Sequence, residues 1–130
     1  SGLNIDIKPT KFIAKISGSK QLFVGSNGKL ITNQMIDETL PYIFGKFNSE
    51  KFLSFKKTID RSNFNFNDFK SISFYPSNRW DILTTNDILI KLPKNNLSES
   101  LKHAHSFINN NEFQDNTVID LRMSNQLIVQ

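Results

Sequence analysis

Apolar and polar positions alternate with a period of two in several short stretches of this 130-residue chain, and follow a helical period in two longer ones. Leu3-Asn-Ile-Asp-Ile7 and Phe12-Ile-Ala-Lys-Ile16 read as strands. Gln21-Leu-Phe-Val24 and Lys29-Leu-Ile31 flank Ser26-Asn27-Gly28, whose Asn-Gly pair tolerates the positive φ of a tight hairpin. Leu40-Pro41-Tyr-Ile-Phe-Gly45 is apolar but broken by Pro and closed by Gly, so it reads as a connector pinned to the core. Asn63-Phe-Asn-Phe-Asn67 suggests an irregular crossing with its aromatics inward. Ile72 to Tyr75 is a strand stopped by Pro76. Arg79-Trp-Asp-Ile-Leu83 and Ile88-Leu-Ile-Lys-Leu92 form a further hairpin around Thr85-Asn86-Asp87.

The helical period predicts two helices. The first runs from a Ser49 cap to about Arg61, with Phe52, Phe55 and Ile59 on one stripe and Lys56 and Lys57 in the later turns, where positive charge suits the helix dipole. The second runs from about Leu97 to Asn109, with Leu97, Leu101, Ala104 and Ile108 on its buried face and Asn95 or Asn96 as cap. The last fourteen residues, Thr117 to Gln130, read as two strands around Ser124-Asn125-Gln126. A strand that closes a chain often lies at a sheet edge, where unpaired backbone groups accept a strand from another protein. This order predicts an α+β fold: a largely antiparallel, curved sheet with two main helices on one face and a C-terminal edge hairpin.

Composition adds that the chain is one domain with ample core material, twelve Phe among it, so that no disulfide or metal is needed for stability. The absence of Cys excludes thiolate metal sites and Cys nucleophiles. No apolar run approaches the ~18 residues that span a bilayer. No signal peptide is visible, and Ser1-Gly2 looks artificial, so the chain is expected to be a soluble part of something larger. Net charge is +4, and 13 of the 16 positive residues are Lys, scattered rather than clustered. Basic charge with Phe74, Tyr75 and Trp80 keeps a nucleic-acid-binding domain as the main alternative to a binding scaffold, with a generic adaptor as another. The aromatics interleave with Ile72, Ile82 and Ile90, which favours a core role, and Trp80 reads as a structural anchor.

No catalytic site, cofactor loop or metal cluster stands out, so an enzyme is not expected and no cofactor is implied. His103 and His105 are two apart on a helix and point about 200° apart, so they cannot share a metal. Asp37-Glu38, and Asp81 with Asp87, suit turn and surface duty. Asp120 and Arg122 are two apart on a strand and project from one face, with Ile119, Leu121 and Met123 opposite. They form either a surface acid–base pair or an arginine held near the edge for a partner carboxylate.

Leu3-Asn-Ile-Asp-Ile7, Phe12-Ile-Ala14, Leu22 to Ile31 around Asn27-Gly28, Leu40-Pro41 with Gly45, Arg79-Trp80-Asp-Ile-Leu, Ile88 to Leu92 and Val118-Ile-Asp120-Leu121-Arg122 together resemble the periplasmic part of the FtsQ/DivIB cell-division family. The resemblance implies that residues 1–9 are the last strand of an upstream POTRA domain and 10–130 the family's β-domain. It implies a non-enzymatic divisome scaffold at the septum, anchored in the inner membrane by one N-terminal transmembrane helix that is absent from this chain. The implied partners are FtsB and FtsL, and further divisome proteins. The implied surface is Arg122, Met123, Ser124, Asn125, Gln126 and Leu127, with Ile128 and Val129 supplying backbone pairing. Met123 stands where some members have an aromatic, and Gln126 near where some have a small residue or Gly.

Overall fold

The computed structural model describes residues 12–16, 22–26, 28–32, 40–112, 116–123 and 126–130. The expected strand at Leu3–Ile7, the residues 1–9 assigned to an upstream domain, and Asn27, Asp37, Glu38, Ser124 and Asn125 lie outside them.

Among the described residues, nine strands form one sheet with two α-helices and a short 3-10 helix at Phe66–Asp68. The strands are β1 Phe12–Ile16, β2 Leu22–Gly25, β3 Leu30–Thr32, β4 Tyr42–Phe44, β5 Phe69–Tyr75, β6 Arg79–Thr84, β7 Leu89–Lys91, β8 Val118–Asp120 and β9 Ile128–Val129. Helix α1 spans Ser49–Arg61 and α2 spans Leu97–Asn109. The strand order is β3-β2-β1-β4-β5-β6-β7-β8-β9, antiparallel at five junctions and parallel at β1–β4, β4–β5 and β7–β8.

Two of the parallel junctions explain where the helices lie. A parallel neighbour requires a crossover, and α1 links β4 to β5 while α2 links β7 to β8. Strands β4, β5, β7 and β8 all run the same way, and both crossovers step in the same direction across the sheet. Crossovers of one hand then put both helices on one face. Phe52, Phe55 and Ile59 of α1 and Leu101 and Ala104 of α2 duly share one core with the sheet.

The centre of that core is a register row. Ile16, Ile43, Ile72, Ile82, Ile90, Ile119 and Val129 are successive cross-strand partners from β1 through β4, β5, β6, β7 and β8 to β9. The five central isoleucines are at most 1% exposed, and Val129 ends the row at 44%. β-Branched side chains on a pleated face pack well against their cross-strand neighbours, so one residue type repeated along the row aligns the strands. Above it, Trp80 is stacked against Phe55 at 4.6 Å between centroids and lies 4.7 Å from Phe74.

Three local expectations are corrected. Residues 42–44 are a central strand, not a connector: Pro41 contributes only its carbonyl, which accepts from the Lys15 N–H at 2.8 Å. Gly45 then turns the chain at φ +96°, where a Cβ would fall 2.1 Å from the Phe74 carbonyl oxygen. Asn48, not Ser49, caps α1, its side chain accepting from the Lys51 N–H at 2.8 Å. The Ser49 hydroxyl instead donates to the Gly28 carbonyl at 2.6 Å and ties the β2–β3 hairpin to the helix. Asn96 holds the cap position of α2 in a left-handed conformation without a side-chain cap bond.

The row predicts a large, local energetic cost. Ile82→Ala should lower unfolding stability by about 2–5 kcal/mol in urea titrations, whereas a loss below about 1 kcal/mol would contradict a central role for this residue.

Candidate functional site

Strand β9 lies at the end of the sheet, with β8 on one side and, among the described residues, no strand on the other. Its pairing shows which backbone groups are used. The Val118 N–H donates to the Gln130 carbonyl at 3.0 Å, and the Gln130 N–H donates to the Val118 carbonyl at 2.8 Å. Opposite pairs in an antiparallel ladder alternate between bonded and non-bonded. The next pair, Ile119 with Val129, is therefore non-bonded, and Asp120 with Ile128 is bonded. Ile128 and Gln130 thus turn their main-chain groups toward β8, and Leu127 and Val129 turn theirs outward. The side chains alternate the other way: Leu127 packs against the core and Val129 ends the isoleucine row, while Ile128 is on the helix-free face.

Arg122 lies just beyond β8, where the chain leaves the sheet. Its Nε donates to both Asp120 carboxylate oxygens at 2.9 and 3.1 Å, and its Nη2 donates to Oδ2 at 2.7 Å. The Arg122 backbone N–H adds a bond to Oδ1 at 3.0 Å. This side-on grip leaves Nη1 without a described partner. The Asp120 side chain is 7% exposed and that of Arg122 44%, so a nearly buried carboxylate holds an accessible cation. The Arg122 guanidinium bonds hold the Asp120 carboxyl well below its ordinary 3.8, at about 2, against the opposing effect of burial. The same contact raises Arg122.

Asp120 also belongs to a charged row on the helix-free face, Asp81–Lys91–Asp120, in direct cross-strand register. Arg79 completes this cluster by donating from Nη1 to Asp81 at 3.0 Å and to the Leu92 carbonyl at 2.9 Å, and it lies over the Tyr75 ring. Burial first, and then the Asp81 carboxylate, raise the Tyr75 phenol. Arg79 is mostly enclosed, at 17% side-chain exposure, which leaves Arg122 the accessible guanidinium of the pair.

On the other side of Arg122 a groove of about 860 Å3 runs between α2 and the chain entering β9, lined among others by Lys94, Lys102, His103, Arg122, Met123 and Gln126. Lys94, Lys102 and Arg122 outnumber the one carboxylate of the lining, Glu99, so the groove carries a net positive charge. The Gln126 N–H donates to the Met123 carbonyl at 3.1 Å and closes the turn.

The structure therefore brings Arg122, Met123 and Gln126 together on the groove and places Leu127, Ile128 and Val129 along the free edge. Met123 is 57% exposed and lines the groove with Arg122, not opposite it as strand alternation predicts, because β8 ends at Asp120. Lys94, Lys102 and His103 were not singled out as site residues from the sequence; only the placing of α2 and its approach beside Leu121, Arg122, Met123 and Gln126 reveals them. His105, in contrast, meets Phe64 edge-on at 5.0 Å. No group of three or more potential metal ligands occurs among the described residues. The Trp80 ring is covered by Phe55 and Phe74 and offers no face for a base.

Residues 14–122 match the family described as cell division protein FtsQ/DivIB, C-terminal. Among solved structures the chain is similar to the major extracytoplasmic domain of the trans isomer of the bacterial cell-division protein DivIB from Geobacillus stearothermophilus. The TM-score is 0.54 at 13% identity, over 82% of this chain and 99% of that one, a likeness of fold. No curated protein matches.

The ion pair carries a pH signature. Asp120 binds its proton less readily in the folded chain than in the unfolded one. Its contribution is therefore present above the ordinary carboxyl value of 3.8 and is lost as pH falls through about 2. Acid titration of stability should show wild type losing more than Asp120→Asn across that window; equal losses would contradict the pairing.

Proposed function

The chain belongs to the FtsQ/DivIB family of cell-division proteins, and on that premise we propose that it is a division scaffold that captures FtsB, together with FtsL, by strand addition to β9. Family members are non-enzymatic, membrane-anchored division proteins with a periplasmic domain. No helix among the described residues is long and apolar enough to cross a membrane. In this proposal residues 10–130 are the β-domain, residues 1–9 end an upstream POTRA domain, and one N-terminal transmembrane helix holds the protein in the inner membrane at the septum, among other divisome proteins.

The observation that carries the proposal is the outward alternation of Leu127 and Val129 at the sheet edge. An incoming strand finds two N–H and two C=O groups already held in extended geometry, so it orders only itself. Its inward side chains extend the isoleucine row past Val129. Its flank meets Arg122, whose Nη1 is directed away from Asp120, and an acidic side chain there forms a charge-assisted bond. Ser124 and Asn125 complete the binding surface.

The alternation gives a test that ordinary scanning lacks. Val129→Pro removes an outward N–H and leaves the bonds to β8 in place, so the domain should stay folded while binding of an FtsB segment weakens roughly ten- to hundredfold by calorimetry. Ile128→Pro removes an inward N–H and should instead loosen the hairpin. Arg122→Gln should cost about 1.5–3 kcal/mol of binding. Normal binding by a folded Val129→Pro protein would exclude the edge as the docking surface.

A further inference from the structure

The free edge of β9 fits a second copy of itself. We propose that this domain forms a weak, twofold-symmetric dimer by antiparallel β9–β9 pairing whenever no other strand occupies the edge. The inference uses the same edge as the proposed function but does not depend on who the partner is.

Register supplies the first reason. Outward main-chain groups lie on Leu127 and Val129, two residues apart with Ile128 between them. When two copies approach antiparallel about a twofold axis at Ile128, Leu127 of each faces Val129 of the other. Both are bonded positions, so each pair exchanges two hydrogen bonds and every outward group of both edges is satisfied. A twofold centred on Leu127 or on Val129 leaves some of these groups unmatched.

The side chains fit the same register. On the helix side Val129, the exposed end of the isoleucine row, gains Leu127 of the other copy beside it, so the row runs on into the second sheet. On the helix-free face Ile128 meets Ile128, covering a side chain that is 38% exposed. Gln126 and Gln130 flank the contact without charge.

The devices that normally keep sheet edges apart are nearly absent. Residues 123–130, Met-Ser-Asn-Gln-Leu-Ile-Val-Gln, contain no charge and no proline. Among the described residues the safeguard is shortness, since β9 spans only Ile128–Val129. Shortness limits how tightly two copies hold and lets a longer partner strand displace them. Self-pairing then keeps the edge covered in the free protein and makes partner capture an exchange of strands, sensitive to local concentration.

The absence of cysteine makes a direct test clean. In the proposed register the two Ile128 residues form a non-bonded antiparallel pair, with Cα atoms about 4.5 Å apart, within disulfide range. The protein carrying Ile128→Cys, oxidised with copper-phenanthroline, should give about tenfold more disulfide dimer than Gln130→Cys, whose cysteines lie too far from each other. In sedimentation the unmodified protein should dimerise with increasing concentration and Val129→Pro should not. An excess of the partner segment of the proposed function should suppress the Ile128→Cys cross-link. Equal cross-linking at 128 and 130, or a monomer at every concentration, overturns the dimer and leaves the partner proposal untouched. A dimer whose cross-link an excess of bound partner segment does not diminish supports self-pairing and places the partner elsewhere.

Discussion

Cross-strand packing of one row of isoleucines is the interaction on which the rest of this structure depends. Ile43, Ile72, Ile82, Ile90 and Ile119 stand side by side beneath two helices, and sheet register follows from keeping them in line. A slip of one residue would carry a strand's isoleucine to the helix-free face; in β5 either direction brings a serine into the core, and in β6, β7 and β8 one direction brings in Asp81, Lys91 or Asp120. In β6 the neighbours are Asp81 and Leu83; in β7, Leu89 and Lys91. The row therefore fixes the charged register on the opposite face, Asp81–Lys91–Asp120, as firmly as it fixes the core.

That coupling reaches the C-terminal edge. Because Ile119 is locked in the row, Asp120 must face the other way, where its carboxylate grips Arg122 as the chain leaves the sheet. The same registration sets the phase of β9, which decides that Leu127 and Val129, not Ile128, offer their main chain outward. An edge with a fixed phase is a specific site for a strand; a loose terminal segment would have to be ordered first. The groove beside α2 and the Arg122 cation lie where a chain entering that site would continue.

Much of this was legible in the sequence, and the failures have physical causes. The helical stripes of Phe52, Phe55, Ile59 and of Leu97, Leu101, Ala104, Ile108 gave helices with the observed spans, Ser49–Arg61 and Leu97–Asn109. Residues 42–44 were missed as a strand because three residues between Pro41 and Gly45 are too short for an alternation to show, although parallel partners on both sides bury Ile43. The Ser49 cap failed because its hydroxyl had a tertiary use at Gly28 that no local pattern carries. Alternation continued past Asp120 sets Met123 on the face opposite Arg122, but β8 ends at Asp120 and both residues line the groove. The link between Asp120 and Arg122 was visible as a spacing of two, whereas the groove joins α2 to Leu121, Arg122, Met123 and Gln126 and has no linear trace.

Amide hydrogen exchange along β9 in dilute solution tests the account most directly, since the structure assigns opposite fates to neighbouring residues. Slow exchange at Ile128 and Gln130 with fast exchange at Leu127 and Val129, the latter two becoming protected once a partner segment is added, is the predicted result. Protection of Leu127 and Val129 in the free, monomeric protein would mean that the edge is already occupied, and would contradict it.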